Sequence, residues 1–329
     1  MPSAIPRPRP ITIAHRGACG YLPEHSLAAK AMAHAMGAEF LEQDLVATRD
    51  DQLVVLHDIH IDRVTNVTEH FATRHRDDGR FYARDFTLDE IKQLRLTERT
   101  DASGRVVFGA RYPGGVSGLS VASFAEELAM VRGLNRSTSR IAGVYPEIKK
   151  PQWHHDEGVD VSQLALSTLR AFGYEDKPEQ VWLQCFDLAE NTRLAESLQC
   201  PYRQVQLIAD DAWGESATCY AELLAPGGLL QLQGVVAAIG PWLEQLYSLN
   251  PDGRVIPTSL VADAATAGLC VHPYTVRADA LPPGFNSMSG LLDWLLEQGV
   301  DGVFCDFTDQ CVSHFDARAL APAATAFKR

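Results

Sequence analysis

Phe40-Leu41-Glu42-Gln43-Asp44-Leu45-Val46 sets two carboxylates inside an otherwise apolar run. Read as a β-strand, its side chains alternate between faces, so Glu42 and Asp44 project to the same side. Such a pair is costly in apolar surroundings, because each carboxylate loses water and repels its neighbour. A divalent cation is the simplest compensation. The run therefore marks a strand and a candidate metal-dependent site.

Comparable β-rich runs recur at Ile11–His15, Gly143–Lys149, Val181–Phe186, Gln204–Ala209, Val235–Gly240, Leu269–Val276 and Gly302–Phe307, with Leu53–His57 as a partner to the quoted run. Helical patterns lie between them at Ser26–Met36, Val161–Phe172, Leu188–Leu198, Ser259–Ala267 and Met288–Gln298. Strands alternating with helices indicate parallel βαβ units, and eight such strands close a (β/α)8 barrel. A doubly wound open sheet would carry a Gly-rich phosphate turn after its first strand, and His15-Arg16-Gly17-Ala18 is not that turn. The prediction is an α/β fold, a TIM barrel formed as a single domain over residues 1–329. Residues 59–141 break the rhythm with polar sequence and helix candidates at Leu88–Leu94 and Ser123–Arg132. So long a connection reads as a small subdomain inserted after the second strand, over the catalytic face. The Ala-rich tail from Ala317 reads as peripheral. The sequence carries no internal repeat.

A net charge of −13 argues against nucleic acid or an anionic membrane as partner, although an anionic substrate stays possible where a metal and basic groups reverse the local potential. The seven cysteines have no CxxC spacing, which gives neither a zinc site nor a disulfide framework. No apolar stretch approaches the ~20 residues of a membrane span, so no stable membrane insertion is expected. Met1–Pro10 is proline-rich and basic without an apolar core, and as written is not a signal peptide.

Polar residues fall where strands end. His15 and Arg16 close the first strand, Glu42 and Asp44 occupy the second, and His57-Asp58 ends its partner. Glu147 and Lys149 end the third, Gln184 lies on the fourth and Tyr274 near the end of the seventh. In a barrel these ends converge on one face, where such folds place their active sites. Glu42, Asp44 and Glu147 together make an all-oxygen set suited to a hard cation such as Ca²⁺ or Mg²⁺. Two histidines near one centre can divide acid and base roles, and Arg16 offers a planar fork for a phosphate or carboxylate. The bland alternatives are ion pairs for each carboxylate and a structural bridge from Arg16 to Glu24. His25, His60, His154, His155 and His314 read as structural or solvated.

The ordered set Ile13-Ala14-His15-Arg16-Gly17-Ala18, Leu22-Pro23-Glu24-His25-Ser26, Leu41-Glu42-Gln43-Asp44, Val54-Val55-Leu56-His57-Asp58, Tyr145-Pro146-Glu147-Ile148-Lys149, Leu183-Gln184-Cys185-Phe186-Asp187, His272-Pro273-Tyr274-Thr275-Val276 and Asp301-Gly302-Val303-Phe304 resembles the signature of the glycerophosphodiester phosphodiesterases. It runs nearly end to end, and the Glu-His-Ser variant, the insertion and His-Pro-Tyr-Thr-Val resemble the periplasmic branch of Gram-negative bacteria. The resemblance implies a TIM barrel with an insertion and one divalent ion, Ca²⁺ first and Mg²⁺ second. Its ligands map to Glu42, Asp44 and Glu147, its acid/base pair to His15 and His57, and its phosphate contacts to Arg16 and Lys149. Gln184 and Tyr274 fall to substrate binding, and Glu24 to a supporting role. Many relatives carry Asn where this chain has His25, so no role passes there. The branch implies the periplasm, whereas the N-terminus as written implies the cytoplasm if Met1 is the start.

The activity implied is metal-dependent hydrolysis of small glycerophosphodiesters to sn-glycerol 3-phosphate and an alcohol. Water or the glycerol 2-hydroxyl could attack, the latter through a cyclic phosphate favoured by its high effective concentration. One rival is a phosphodiesterase or lyase of the same fold acting on lysophospholipids or sphingomyelin, which requires an apolar groove. Another is a non-enzymatic binding protein, which would tend to lose catalytic positions that are all present here.

Overall fold

A computed structural model describes residues 9–320, so the proline-rich start and most of the Ala-rich tail lie outside the described residues. Eight parallel strands form the centre: β1 Ile11–Ala14, β2 Phe40–Ala47, β3 Gly143–Ile148, β4 Trp182–Cys185, β5 Arg203–Ile208, β6 Ala238–Pro241, β7 Cys270–Val271 and β8 Gly302–Cys305. Each pairs with its sequence neighbour, and β8 pairs with β1. Backbone bonds from Asp301 N–H to Val271 O and from Val276 N–H to Phe304 O join β7 to β8. The result is the TIM barrel that the strand count predicts. Around it stand α1 Leu27–Met36, α2 Phe124–Thr138, α3 Val161–Ala171, α4 Leu188–Glu196, α5 Tyr220–Leu224, α6 Leu260–Thr266, α7 Met288–Gln298 and α8 Thr308–Leu320. Among the described residues, no helix is long and apolar enough to cross a membrane.

The two-residue period of the strands builds the interior in layers. Ile13, Tyr145, Trp182, Val205, Ala238 and Phe304 form an apolar floor, with Phe40 packed against it. Two positions further along, the same inward faces present His15, Glu42, Glu147, Gln184 and Leu207 to a cavity above that floor. The floor leaves the next layer open only toward the C-terminal ends of the strands. This is why the carboxylates of β2 can be buried and still reach a ligand.

Leu41 and Leu45 pack outward against Ala33, Phe124 and Leu128 of α1 and α2. Among these apolar contacts sits a buried polar knot. Lys30 on α1 donates to both carboxylate oxygens of Glu127 on α2 at 2.7 and 3.0 Å, and Gln43 Nε2 donates to Glu127 Oε1 at 2.7 Å. Lys30 and Glu127 are both wholly inaccessible to water. Glu127→Ala is expected to cost about 3–5 kcal/mol in denaturant unfolding, because the ammonium would be left uncompensated. Replacing both partners by Met and Leu should cost far less.

The long connection from β2 to β3 begins with Leu53–Val55, antiparallel to β2 in the register Leu45 to Val55. Ile61, Val64, Val67, Phe81, Phe86, Ile91, Leu94, Leu96 and Val121 then gather into a small core seated on Val46, Val54 and Leu56. The helix expected at Leu88–Leu94 is a single turn, Leu88–Ile91, capped by Thr87. The segment 59–141 thus divides. Residues up to Val121 belong to this small core, whereas α2, capped by Ser123 and Glu126, stands in the outer ring beside α1.

Candidate active site

A cavity of about 370 Å³ opens at the C-terminal ends of the strands. His15, Arg16, Glu42, Asp44, His57, Glu147, Gln184 and Tyr274 all line it. Lys149, the ninth residue singled out, stands behind the wall with Nζ 2.8 Å from Glu147 Oε1 and 3.8 Å from Asp44 Oδ1. Residues from nearly 260 positions of sequence therefore meet at one mouth.

Each histidine has its own aspartate. His15 Nδ1 lies 2.7 Å from Asp306 Oδ1, just beyond β8, and His57 Nδ1 lies 3.0 Å from the adjacent Asp58 Oδ1. An Nδ1–H that donates to a carboxylate fixes the tautomer and leaves Nε2 free. Burial, then the charge of Arg16, lowers His15 to about 4 against the pull of Asp306. Burial, then Arg16 and Lys149, also lowers His57. Burial disfavours the charge of Asp306, but Arg277, His15 and Arg111 outweigh it and hold its carboxyl well below the usual range.

The carboxylates are unequal. Glu42 accepts from the Arg16 backbone N–H, yet burial and then Asp44 push its carboxyl well above the ordinary value. Asp44 is also buried, but Lys149, His57 and His25 overcome that burial and hold it well below. Burial raises Glu147, with Lys149 opposing and Asp44 reinforcing the shift. Asp44 Oδ1 is buried and makes no hydrogen bond. Ligating atoms of Glu42, Asp44 and His25 fall within 4.8 Å of one another. A buried oxygen without a hydrogen bond in an oxygen-rich cluster fits a hard divalent cation.

Several site residues escaped the sequence reading. His25 is neither solvated nor remote, because its Nε2 lies 2.6 Å from Asp44 Oδ2. A left-handed backbone at His25 (φ 59°), like that at Arg16 (φ 55°), turns the loop after β1 into the mouth. Asp306 stands immediately after β8, the strand-end position that picked out His15, so its signal was present. Arg277 lines the cavity and donates from Nε to Asp306 Oδ2 at 2.9 Å. Arg16 both faces the cavity and bridges to Glu24 at 2.9 Å. Tyr274 presents its ring to the cavity, while its hydroxyl donates to Ile208 O at 2.9 Å. On the far side, Phe186, Leu207, Trp213, Trp242 and Leu281 make an apolar wall, with the Trp213 and Trp242 rings 5.1 Å apart.

The glycerophosphoryl diester phosphodiesterase family matches residues 15–310 of the chain. The chain belongs to that enzyme family. It is 39% identical to the glycerophosphodiester phosphodiesterase of Haemophilus influenzae over 320 residues, covering 91% of this chain and 88% of that protein. A Treponema pallidum glycerophosphodiester phosphodiesterase is 34% identical, over 90% of this chain and 89% of its own. Among solved structures, an Oleispira antarctica phosphodiesterase in complex with the product sn-glycerol-3-phosphate has the same fold, with a TM-score of 0.63 and 19% identity over 93% of this chain and 97% of that one.

Proposed function

We propose that this chain hydrolyses glycerophosphodiesters to sn-glycerol 3-phosphate and an alcohol, using His15 and His57 as base and acid. The observation that carries this is the pair of histidines, each fixed by an aspartate, facing one cavity that also holds Arg16 and the carboxylate cluster. Arg16 and Lys149 attract the phosphodiester anion, and Arg16 can fork onto its oxygens. His15, neutral through burial, takes the proton from the attacking hydroxyl or water at Nε2, and Asp306 stabilises the imidazolium that results. The bound anion offsets the depressing charges of Arg16 and Lys149 on His57, which then protonates the departing alkoxide. Glu42, Asp44 and Glu147 would hold one divalent cation, Ca²⁺ or Mg²⁺, which when bound supplies positive charge against that developing on the phosphoryl oxygens.

The test is a coupled assay for glycerol 3-phosphate released from several glycerophosphodiesters. EDTA should abolish release, and Ca²⁺ or Mg²⁺ should restore it. Chelator-insensitive turnover, with no metal by elemental analysis, would remove the cation from the mechanism. The apolar wall favours a second substrate class, lysophospholipids, whose acyl chain could lie along Trp213, Trp242 and Leu281. Turnover of glycerophosphocholine beside lysophosphatidylcholine discriminates the two.

A further inference from the structure

The mechanism above takes His57 and Asp58 from the start of the long β2–β3 connection and leaves residues 59–121 without a task. Two arginines of that stretch, Arg111 buried and Arg99 half-buried, reach the carboxylates that stand behind the mouth. Arg99 Nη1 donates to Asp58 Oδ2 at 2.8 Å, while its Nε donates to Glu24 Oε2 at 3.0 Å and its Nη2 to Glu24 Oε1. Asp58 is the partner of His57, and Glu24 is the partner of Arg16. Arg111 Nη2 donates to Asp306 Oδ2 at 2.8 Å, and Asp306 is the partner of His15. The aspartate behind each histidine is thus gripped by an arginine from the same connection.

We infer that residues 59–121 of the β2–β3 connection are part of the active site, with Arg99 and Arg111 as positioning residues that act through Asp58, Glu24 and Asp306. This inference rests on the acid/base assignment of His15 and His57.

The backbone that carries these arginines is tied down. Leu96 N–H donates to Leu119 O, Thr97 N–H to Val64 O, Val107 N–H to Arg99 O and Thr100 N–H to Arg63 O. Leu96 itself is buried in the small core that sits on β2. Arg99 therefore springs from a laddered segment three residues from a core anchor. Arg111 is pinned separately. Its Nε and Nη2 donate to the two oxygens of Asp279 at 2.8 and 2.9 Å, its Nη1 to Cys19 O at 3.3 Å, and its guanidinium lies 3.7 Å from the centre of the Phe108 ring.

A planar guanidinium can bridge two carboxylates in fixed directions, which a lysine ammonium cannot do. Arg99 uses that property to hold Glu24 and Asp58 together. Without it, Glu24 would pair with Arg16 alone and draw that fork away from the phosphate, and Asp58 would lose the contact that aims it at His57. Arg111 has a narrower task, because Asp306 keeps a second arginine, Arg277, at 2.9 Å.

The two variants should therefore fail differently. Arg111→Ala is expected to lower kcat about tenfold with KM nearly unchanged, since only the orientation of His15 is loosened. Arg99→Ala should lower kcat about a hundredfold and also raise KM, since His57 and Arg16 are both released. Arg99→Ala combined with Asp58→Asn should lose less kcat than the product of the two single losses, because both act through one aspartate. Arg99→Lys, which keeps the charge but not the bridge, should fall between wild type and Arg99→Ala, and serves in its place if the alanine variant does not fold.

Wild-type kcat and KM in the folded fraction of Arg99→Ala and Arg111→Ala, or of Arg99→Lys if Arg99→Ala does not fold, would overturn the inference and leave the arginines as mere fasteners of the connection. So would fully multiplicative losses in the Arg99 and Asp58 double variant. His15→Ala and His57→Ala, measured alongside, keep the two ideas separate. Activity retained in those variants sinks the assignment of the histidines, whereas activity lost in them but kept in the arginine variants sinks the positioning role alone.

Discussion

His15→Ala and His57→Ala are each expected to lower kcat by about 10²- to 10⁴-fold, with the barrel still folded. His15 stands edge-on above Phe304 of the apolar floor, and each imidazole spends one ring nitrogen on an aspartate and has the other free to move a proton. Asp306→Asn should reproduce much of the His15 loss, because an amide can no longer fix the Nδ1–H tautomer or stabilise the imidazolium. The pH profile adds a check. His15 is the base in this mechanism, and burial lowers it to about 4 from its ordinary 6.5. Its contribution to kcat/KM should therefore hold as pH falls through 6.5 and fade only toward 4. The same shift has a sign in stability. Between 6.5 and 4 the unfolded chain takes up a proton at His15 that the folded chain refuses, so stability from this group is full above 6.5 and lost as pH falls. An acid limb of kcat/KM at 6.5 that disappears in a His15 variant would contradict the lowered titration of His15. Near-normal turnover in either alanine variant would end the acid/base assignment.

The barrel is legible because parallel strands buried on both faces are written as short, largely apolar runs, and most of the eight have that form. Polar residues at their ends stood out against that background, which is how His15, Glu42, Asp44, Glu147 and Gln184 were found. Other parts of the site follow from pairing across long sequence separations. Arg99 and Arg111 lie in polar sequence with no strong periodicity, where an arginine looks like any solvated charge. Their meaning depends on Glu24, Asp58 and Asp306, and no local pattern connects those positions. His25 depends on a left-handed turn that carries it back to Asp44, a backbone choice that its neighbours do not announce. Tyr274 is legible in place but not in detail. Its place at a strand end was evident, but only the folded chain shows its hydroxyl committed to Ile208 O.

Glu42→Gln and Asp44→Asn should both lower turnover by at least about a thousandfold, yet they should move stability in opposite directions. The two carboxylates lie two residues apart on one strand, and each would contribute an oxygen to the same cation. Their other partners differ. Glu42 has burial and Asp44 against its charge, with only a backbone N–H and a 3.5 Å contact from Gln184 in direct support. A neutral amide of the same shape removes that repulsion. In chelator, Glu42→Gln should therefore melt at or above the wild-type temperature. Asp44 instead faces Lys149, His25 and Arg16, at 3.8, 2.6 and 3.8 Å. Removing its charge takes a counter-ion from Lys149 and Arg16 and an acceptor from His25, a loss of about 3 kcal/mol by comparison with other broken buried pairs. Asp44→Asn should therefore melt clearly below wild type in the same buffer. Added Ca²⁺ separates the roles further. Wild-type protein should gain thermal stability with ligand concentration, by the mass action of a ligand that binds only the folded state, and both variants should lose most of that gain. Equal destabilisation of the two variants in chelator would show that the asymmetry of the pair is not as described. A full Ca²⁺-dependent gain in Glu42→Gln would remove Glu42 from the ligand set and leave Asp44, whose Oδ1 makes no hydrogen bond, as the anchor of the cation.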